Sequence, residues 1–171
     1  MRRMTAMAGV TAVVLLAAGV FAQGKPNFAG TWTVDAEKTA AANPAPPAGG
    51  GGGGGGARGG GGGGRGGGPM TITQDAASLT IARETQNGPV STVYKLDGSE
   101  MTVTMGQGEA KVKAHAEGAT IVVETTRDMG GMMMTTKAVY SMEGDYLVVA
   151  STQPGRQGGE PTTRKTYYKK G

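Results

Sequence analysis

From residue 70 onward, apolar residues recur at every second position in short runs, and turn-forming residues close each run. Leu79 and Ile81 alternate with polar neighbours; so do Met101, Val103 and Met105, and so do Ile121 and Val123. A period of two places successive side chains on opposite faces of a pleated strand, so each run predicts a strand with one buried face. Between the runs stand Asn87-Gly88-Pro89, Gly106-Gln107-Gly108, Gly130-Gly131 and residues 154–161. The pattern predicts ten strands, near 28–34, 70–74, 78–85, 90–96, 100–105, 109–116, 120–127, 132–142, 145–152 and 161–169, with a helical turn over 36–42.

The turns belong to an internal repeat. Asp75-Ala76-Ala77-Ser78-Leu79-Thr80-Ile81 aligns with Asp97-Gly98-Ser99-Glu100-Met101-Thr102-Val103. Both align with Glu117-Gly118-Ala119-Thr120-Ile121-Val122-Val123 and with Glu143-Gly144-Asp145-Tyr146-Leu147-Val148-Val149. The acid and the small residue supply tight-turn chemistry, and the run that follows is the next strand. The repeats start 22, 20 and 26 residues apart, room for one hairpin and its connection. Strands joined by successive hairpins form an antiparallel meander, and a long meander avoids exposed edges by closing on itself. The expected fold is therefore all-β, an up-and-down barrel of eight to ten strands.

The strand faces suggest an interior. Ala110, Val112, Ala114 and Ala116 alternate with Lys111, Lys113, His115 and Glu117, which puts the charged set outside. On the eighth strand Met132, Met134, Thr136, Ala138, Tyr140 and Met142 share a face. With two Phe and one Trp in the chain, an inner surface of Ala and flexible Met leaves room for a guest. The expected pocket lining is Met101, Val103, Met105, Ala114, Val123, Met134 and Tyr140.

The chain has 171 residues, and 17 of its 33 glycines crowd into residues 49–68. A stretch without side chains cannot offset its own ordering entropy, so 43–69 is expected to be a disordered insertion after the first strand. Residues 1–22 carry Arg2 and Arg3, then an apolar run ending Val20-Phe21-Ala22, the layout of a secretory signal peptide. Cleavage after Ala22 would leave a single barrel domain, 23–171, outside the cytoplasm: periplasmic or secreted, with no stable membrane span, and expected to be a monomer. It would also remove two of the four net positive charges, which weakens any case for a nucleic-acid partner. Arg58-Gly59-Gly60 and Arg65-Gly66-Gly67 have too few arginines and no interleaved aromatics for RNA binding.

Candidate chemistry is sparse. The absence of Cys excludes disulfides, thiolate metal sites and cysteine nucleophiles, and a single His excludes a multi-histidine centre. His115 falls on the lysine-bearing face and reads as surface, and no serine sits in a Gly-x-Ser-x-Gly elbow. No enzyme activity and no cofactor are expected. Met129, Met132, Met133 and Met134 admit two readings: barrel core, or thioether ligands for Cu(I) from Met129, Met132 and Met134.

The first strand contains Gly30-Thr31-Trp32, the Gly-x-Trp that opens lipocalin-like barrels, and the penultimate strand opens with Gly144-Asp145-Tyr146, a partial match to that family's Thr-Asp-Tyr. With its hairpin meander, the chain resembles the exported bacterial lipocalin-like (calycin-type) barrel proteins. The resemblance implies that Trp32 closes one end of the barrel with a basic side chain of the last strand, Arg164 or Lys165, over its indole, and that the long first connection folds over the mouth. The chain departs from the family in lacking a disulfide and a C-terminal helix, and ten strands would bring it closer to fatty-acid-binding-protein barrels. The function expected is binding of a small, largely apolar molecule inside the barrel. The alternatives are a periplasmic Cu(I)-binding protein and an envelope interaction protein with a filled barrel.

Overall fold

The computed structural model describes residues 26–44, 69–85, 88–105, 108–155 and 159–171. The expected signal peptide and the glycine tract with Arg58 and Arg65 lie outside the described residues. Among the described residues there are ten strands: β1 (Gly30–Val34), β2 (Met70–Gln74), β3 (Ser78–Thr85), β4 (Gly88–Lys95), β5 (Asp97–Met105), β6 (Gly108–Glu117), β7 (Thr120–Asp128), β8 (Met133–Glu143), β9 (Tyr146–Gln153) and β10 (Thr162–Lys170). One helix, α1 (Ala36–Ala42), follows β1. Every predicted strand is found, because alternation and turn chemistry are local properties that the tertiary structure has no reason to override.

All ten strands form one antiparallel sheet in the order β4-β3-β2-β1-β10-β9-β8-β7-β6-β5. The strands β4 and β5 are consecutive in sequence but form the two edges of this ladder. They meet at Leu96, whose N–H donates to the Ala77 carbonyl at 2.8 Å. A single apolar cluster draws Tyr94 from β4, Trp32 from β1, Val112 from β6 and Leu147 from β9 onto one face. One face can bring both edges of a ten-stranded sheet into one core only by curling round it. The result is a nearly closed barrel with a seam between β4 and β5.

Its two ends differ. The connections β2–β3, β4–β5, β6–β7 and β8–β9 lie at one end, where Phe28, Leu79 and Leu147 are wholly buried and Trp32 nearly so. Here Gln74 binds the entering chain with both arms of its amide: Oε1 accepts the Phe28 N–H at 2.9 Å, and Nε2 donates to the Pro26 carbonyl. The Trp32 indole N–H then donates to the Phe28 carbonyl at 2.8 Å. Phe28 and Trp32 therefore plug this end as a pair. The other end carries α1 and the connections after β3, β5, β7 and β9, and inner-face residues near it are open: Val90 is 45% and Met134 37% exposed.

The helix α1 sits outside the barrel and buries none of its residues. Asp35 caps it, its carboxylate accepting the Lys38 N–H at 2.9 Å. Its role is to complete β10. β1 pairs with β10 only from Val34↔Tyr168 to Trp32↔Lys170, which leaves the earlier part of that edge open. The Tyr167 N–H donates to Thr39 Oγ1 at 2.9 Å, and the Lys165 N–H donates to Asn43 Oδ1 at 2.9 Å. Lys38 Nζ lies 3.7 Å from the centre of the Tyr146 ring, which meets Tyr167 edge-on.

Candidate functional site

The register sorts side chains to the inside or the outside. Ala114 lies opposite Val123, Tyr140 opposite Ile121 and Val149, Met101 opposite Val112, and Val103 opposite Ala110. Ala114, Val123 and Tyr140 belong to the buried cluster, and Met101, Val103 and Met105 pack against it half-buried. Met134, opposite Arg127, stands at the open rim. The seven residues expected to line a pocket thus share the inner surface, three of them deep, three intermediate and one at the mouth.

Other expectations are corrected by the register. Trp32 faces Lys170 across the β1–β10 ladder, whereas Arg164 faces Ser151 on β9 and Lys165 pairs with Glu143 at 3.1 Å outside the barrel. A Cβ on Gly30 would come within 3.4 Å of Lys170 Cε, so the small residue of Gly-x-Trp leaves space for that lysine stem. The reason is strand length: a five-residue β1 reaches only the C-terminal end of β10. The core reading of the methionines also fails, since Met129, Met132 and Met133 are 60%, 74% and 60% exposed. His115 is on the outer face, its Nε2 3.9 Å from a Glu117 carboxylate oxygen, and Lys111 and Lys113 both reach Glu100.

Two residues missed in the sequence matter most. Arg83 follows Leu79 and Ile81 at the same parity on β3, and Arg127 follows Ile121 and Val123 on β7. Both guanidinium groups therefore belong to the inner surface. Carrying the period of two to the last residues of each strand would have found them. Arg83 Nη2 lies 3.1 Å from Met70 Sδ, and Arg127 Nη2 2.7 Å from Met105 Sδ. A thioether is a weak acceptor and brings no charge. The Nε–H of Arg127 is buried and finds no hydrogen-bond acceptor among the described residues.

The carboxylates lie elsewhere. Glu84, Glu100, Glu109, Glu124, Asp128 and Glu143 all have outward parity, and Asp75, Asp97, Glu117 and Asp145 sit at or beside turns. Within the described strands, the inner surface carries cationic side chains and no anionic one. Phenols complete it. Burial pushes the Tyr94 hydroxyl up, opposed by Arg83, the Thr92 side chain and Arg127. Burial raises Tyr140 further, with Tyr94 and Tyr168 adding to the shift and Arg83 opposing it. Two arginines on distant strands thus act on one group of neutral, hydrogen-bonding phenols.

Two clefts also open among the described residues. One of about 130 Å³ is lined by Thr31, Pro69, Thr71, Ala82, Arg83, Glu84 and Pro89, and one of about 260 Å³ by Pro26, Asn27, Gln74, Asp75 and Ala76. Neither includes the expected pocket residues. Among the described residues no helix is long and apolar enough to cross a membrane.

No protein-family model and no curated protein sequence matches the chain. Solved structures do. The zebrafish ileal bile acid-binding protein in complex with cholic acid is 16% identical, with a TM-score of 0.52 over 84% of this chain and 98% of its own. A protein described as the REP1-NXSQ fatty acid transporter is 12% identical, with a TM-score of 0.52 over 84% of this chain and 95% of its own. One is described as a bile acid-binding protein and the other as a fatty acid transporter. At these identities the likeness establishes architecture: the chain has the ten-stranded, nearly closed β-barrel fold of the fatty-acid- and bile-acid-binding barrels.

Proposed function

We propose that this protein is a non-catalytic carrier of small amphipathic anions. The apolar body of the ligand lies along Met101, Val103, Met105, Ala114, Val123 and Tyr140, and its anionic group faces Arg127 and Arg83. One observation carries the reading: the Arg127 guanidinium lies on an inner surface to which the described strands bring no carboxylate, and its buried Nε–H has no acceptor among the described residues. A buried cationic donor is costly to leave without an anion or acceptor, and a ligand carboxylate supplies both. Cholic acid and fatty acids, named for the two similar proteins, are small molecules of this chemistry.

The ligand enters at the end nearer α1, where Val90 and Met134 are open, and close packing around Trp32, Leu79 and Leu147 closes the other end. That packing also favours the competing reading, a barrel filled throughout that works through its outer surface. Export rests on the charged, apolar and small-residue layout of residues 1–22, and a monomer is the simplest state for a barrel that buries its own core.

Native mass spectrometry of the full chain with dodecanoate distinguishes the two. Uptake of one dodecanoate supports the carrier. The apo mass alone, across a range of fatty carboxylates, removes it in favour of the filled barrel.

A further inference from the structure

The methionines of the β7–β8 hairpin are not used by the barrel core. Gly130 and Gly131 both take positive φ, +75° and +91°, and the Met129 N–H donates to the Met132 carbonyl at 2.9 Å. This is a two-residue primed turn, the tightest link between antiparallel strands. Asp128 stiffens it by accepting the Gly131 N–H at 2.6 Å. Below it the ladder continues with Asp128↔Met133 and Arg127↔Met134.

The register decides which sulfurs can meet. Met129 and Met132 flank the turn directly opposite each other, and Met134 lies two residues along β8 from Met132 on the same face. Directly opposed residues have Cβ atoms about 4.5–5.5 Å apart, well within reach of three-bond thioether side chains. Met133 has the opposite parity. Met105, the nearest inner methionine of β5, is already held by Arg127 through its sulfur. Of the seven exposed large apolar residues among those described, four are Met129, Met132, Met133 and Met134, so burial does not account for this cluster.

We propose that Met129, Met132 and Met134 form a three-thioether site for a soft monovalent metal ion, Cu(I), on the β7–β8 hairpin. Neutral sulfur ligands suit Cu(I) and discriminate against hard divalent ions. Among the described residues no group of three or more His, Asp or Glu side chains offers a rival site. His115 pairs with Asp97 near the opposite end of the barrel and contributes nothing here. Asp128 belongs to the same hairpin but shares the face of Met133, and the bond from Arg127 to Met105 holds the nearest guanidinium on another sulfur.

The test is an anaerobic titration of the full chain with Cu(I) against a chromogenic Cu(I) chelator, repeated with redox-inert Ag(I). One ion per chain is expected. Loss of an outer metal partner alone typically costs about 10–100-fold in affinity, so M129L, M132L and M134L should each weaken binding by at least about tenfold. M133L, equally exposed but on the other face, should compete like the wild type. Because these side chains are exposed, near-ultraviolet circular dichroism should be unchanged in all four variants. Absence of binding, or equal losses in M133L and M132L, overturns the proposal.

Discussion

The side chain of Asn43 binds the backbone of Lys165 as a neighbouring strand would: its Oδ1 accepts the Lys165 N–H at 2.9 Å, and its Nδ2 donates to the Lys165 carbonyl at 2.6 Å. The two residues are 122 positions apart, and Asn43 is the C-cap of α1. One amide thus closes the part of the β10 edge that β1 is too short to cover, and it fixes the helix beside the barrel's open end.

N43A should therefore destabilise the fold by about 1.5–4 kcal/mol, the net worth of three lost hydrogen bonds, the third from Nδ2 to the Thr39 carbonyl. Chemical denaturation measures the loss. Hydrogen exchange should localise it, with faster exchange at the Lys165 amide and little change at Val148.

W32A should cost about 3–5 kcal/mol, the usual price of truncating a buried aromatic. W32F separates packing from hydrogen bonding. It keeps most of the apolar area but leaves the Phe28 carbonyl without its indole donor, for a smaller loss of about 1–3 kcal/mol. Equal losses in the two variants would place the whole effect in the hydrogen bond.

Alkaline pH should weaken the fold. Burial raises the Tyr94 and Tyr140 hydroxyls above the ordinary phenol value of 10.0. Above that pH the unfolded chain sheds these protons while the folded barrel keeps them, so stability present below pH about 10 is lost as pH rises. Denaturation midpoints from pH 8 to 11 should fall with this onset. Y140F should flatten the decline, since it removes the most strongly shifted group.

Acid pH tests the outer surface. Hydrogen bonds from Lys165 and Tyr167 hold the Glu143 carboxyl below its usual value of 4.5. The stability this carboxylate contributes is present above that pH and lost as pH falls through its lowered value. The pair is exposed, so solvent screening keeps the effect small. E143Q should make the acid limb of the stability profile slightly shallower.

Much of the barrel was legible in the alternation of Leu79 with Ile81 and of Ile121 with Val123, because period and turn chemistry are local. The partner of Trp32 was not. Choosing Lys170 over Arg164 requires the register of β1 on β10, a long-range relation set by the short length of β1. The Asn43 clamp is illegible for the same reason. The shared face of Met132 and Met134 is legible from their spacing, but nothing local shows that β7 and β8 run past the rim of the core. Arg83 and Arg127 could have been read. Each stands at the inner parity near the end of its strand, where a charge is easily taken for the start of a turn.

In the proposed carrier the inner arginines select an anion. Isothermal titration of wild-type protein and R127L with dodecanoate and with dodecanol tests it most directly. A hydrogen bond to a charged group is worth about 1.5–3 kcal/mol, and each 1.4 kcal/mol is tenfold in affinity. Dodecanoate should therefore bind R127L at least about tenfold more weakly than wild type, while dodecanol binds both alike. Equal dodecanoate affinity for the two proteins would rule out selection by Arg127.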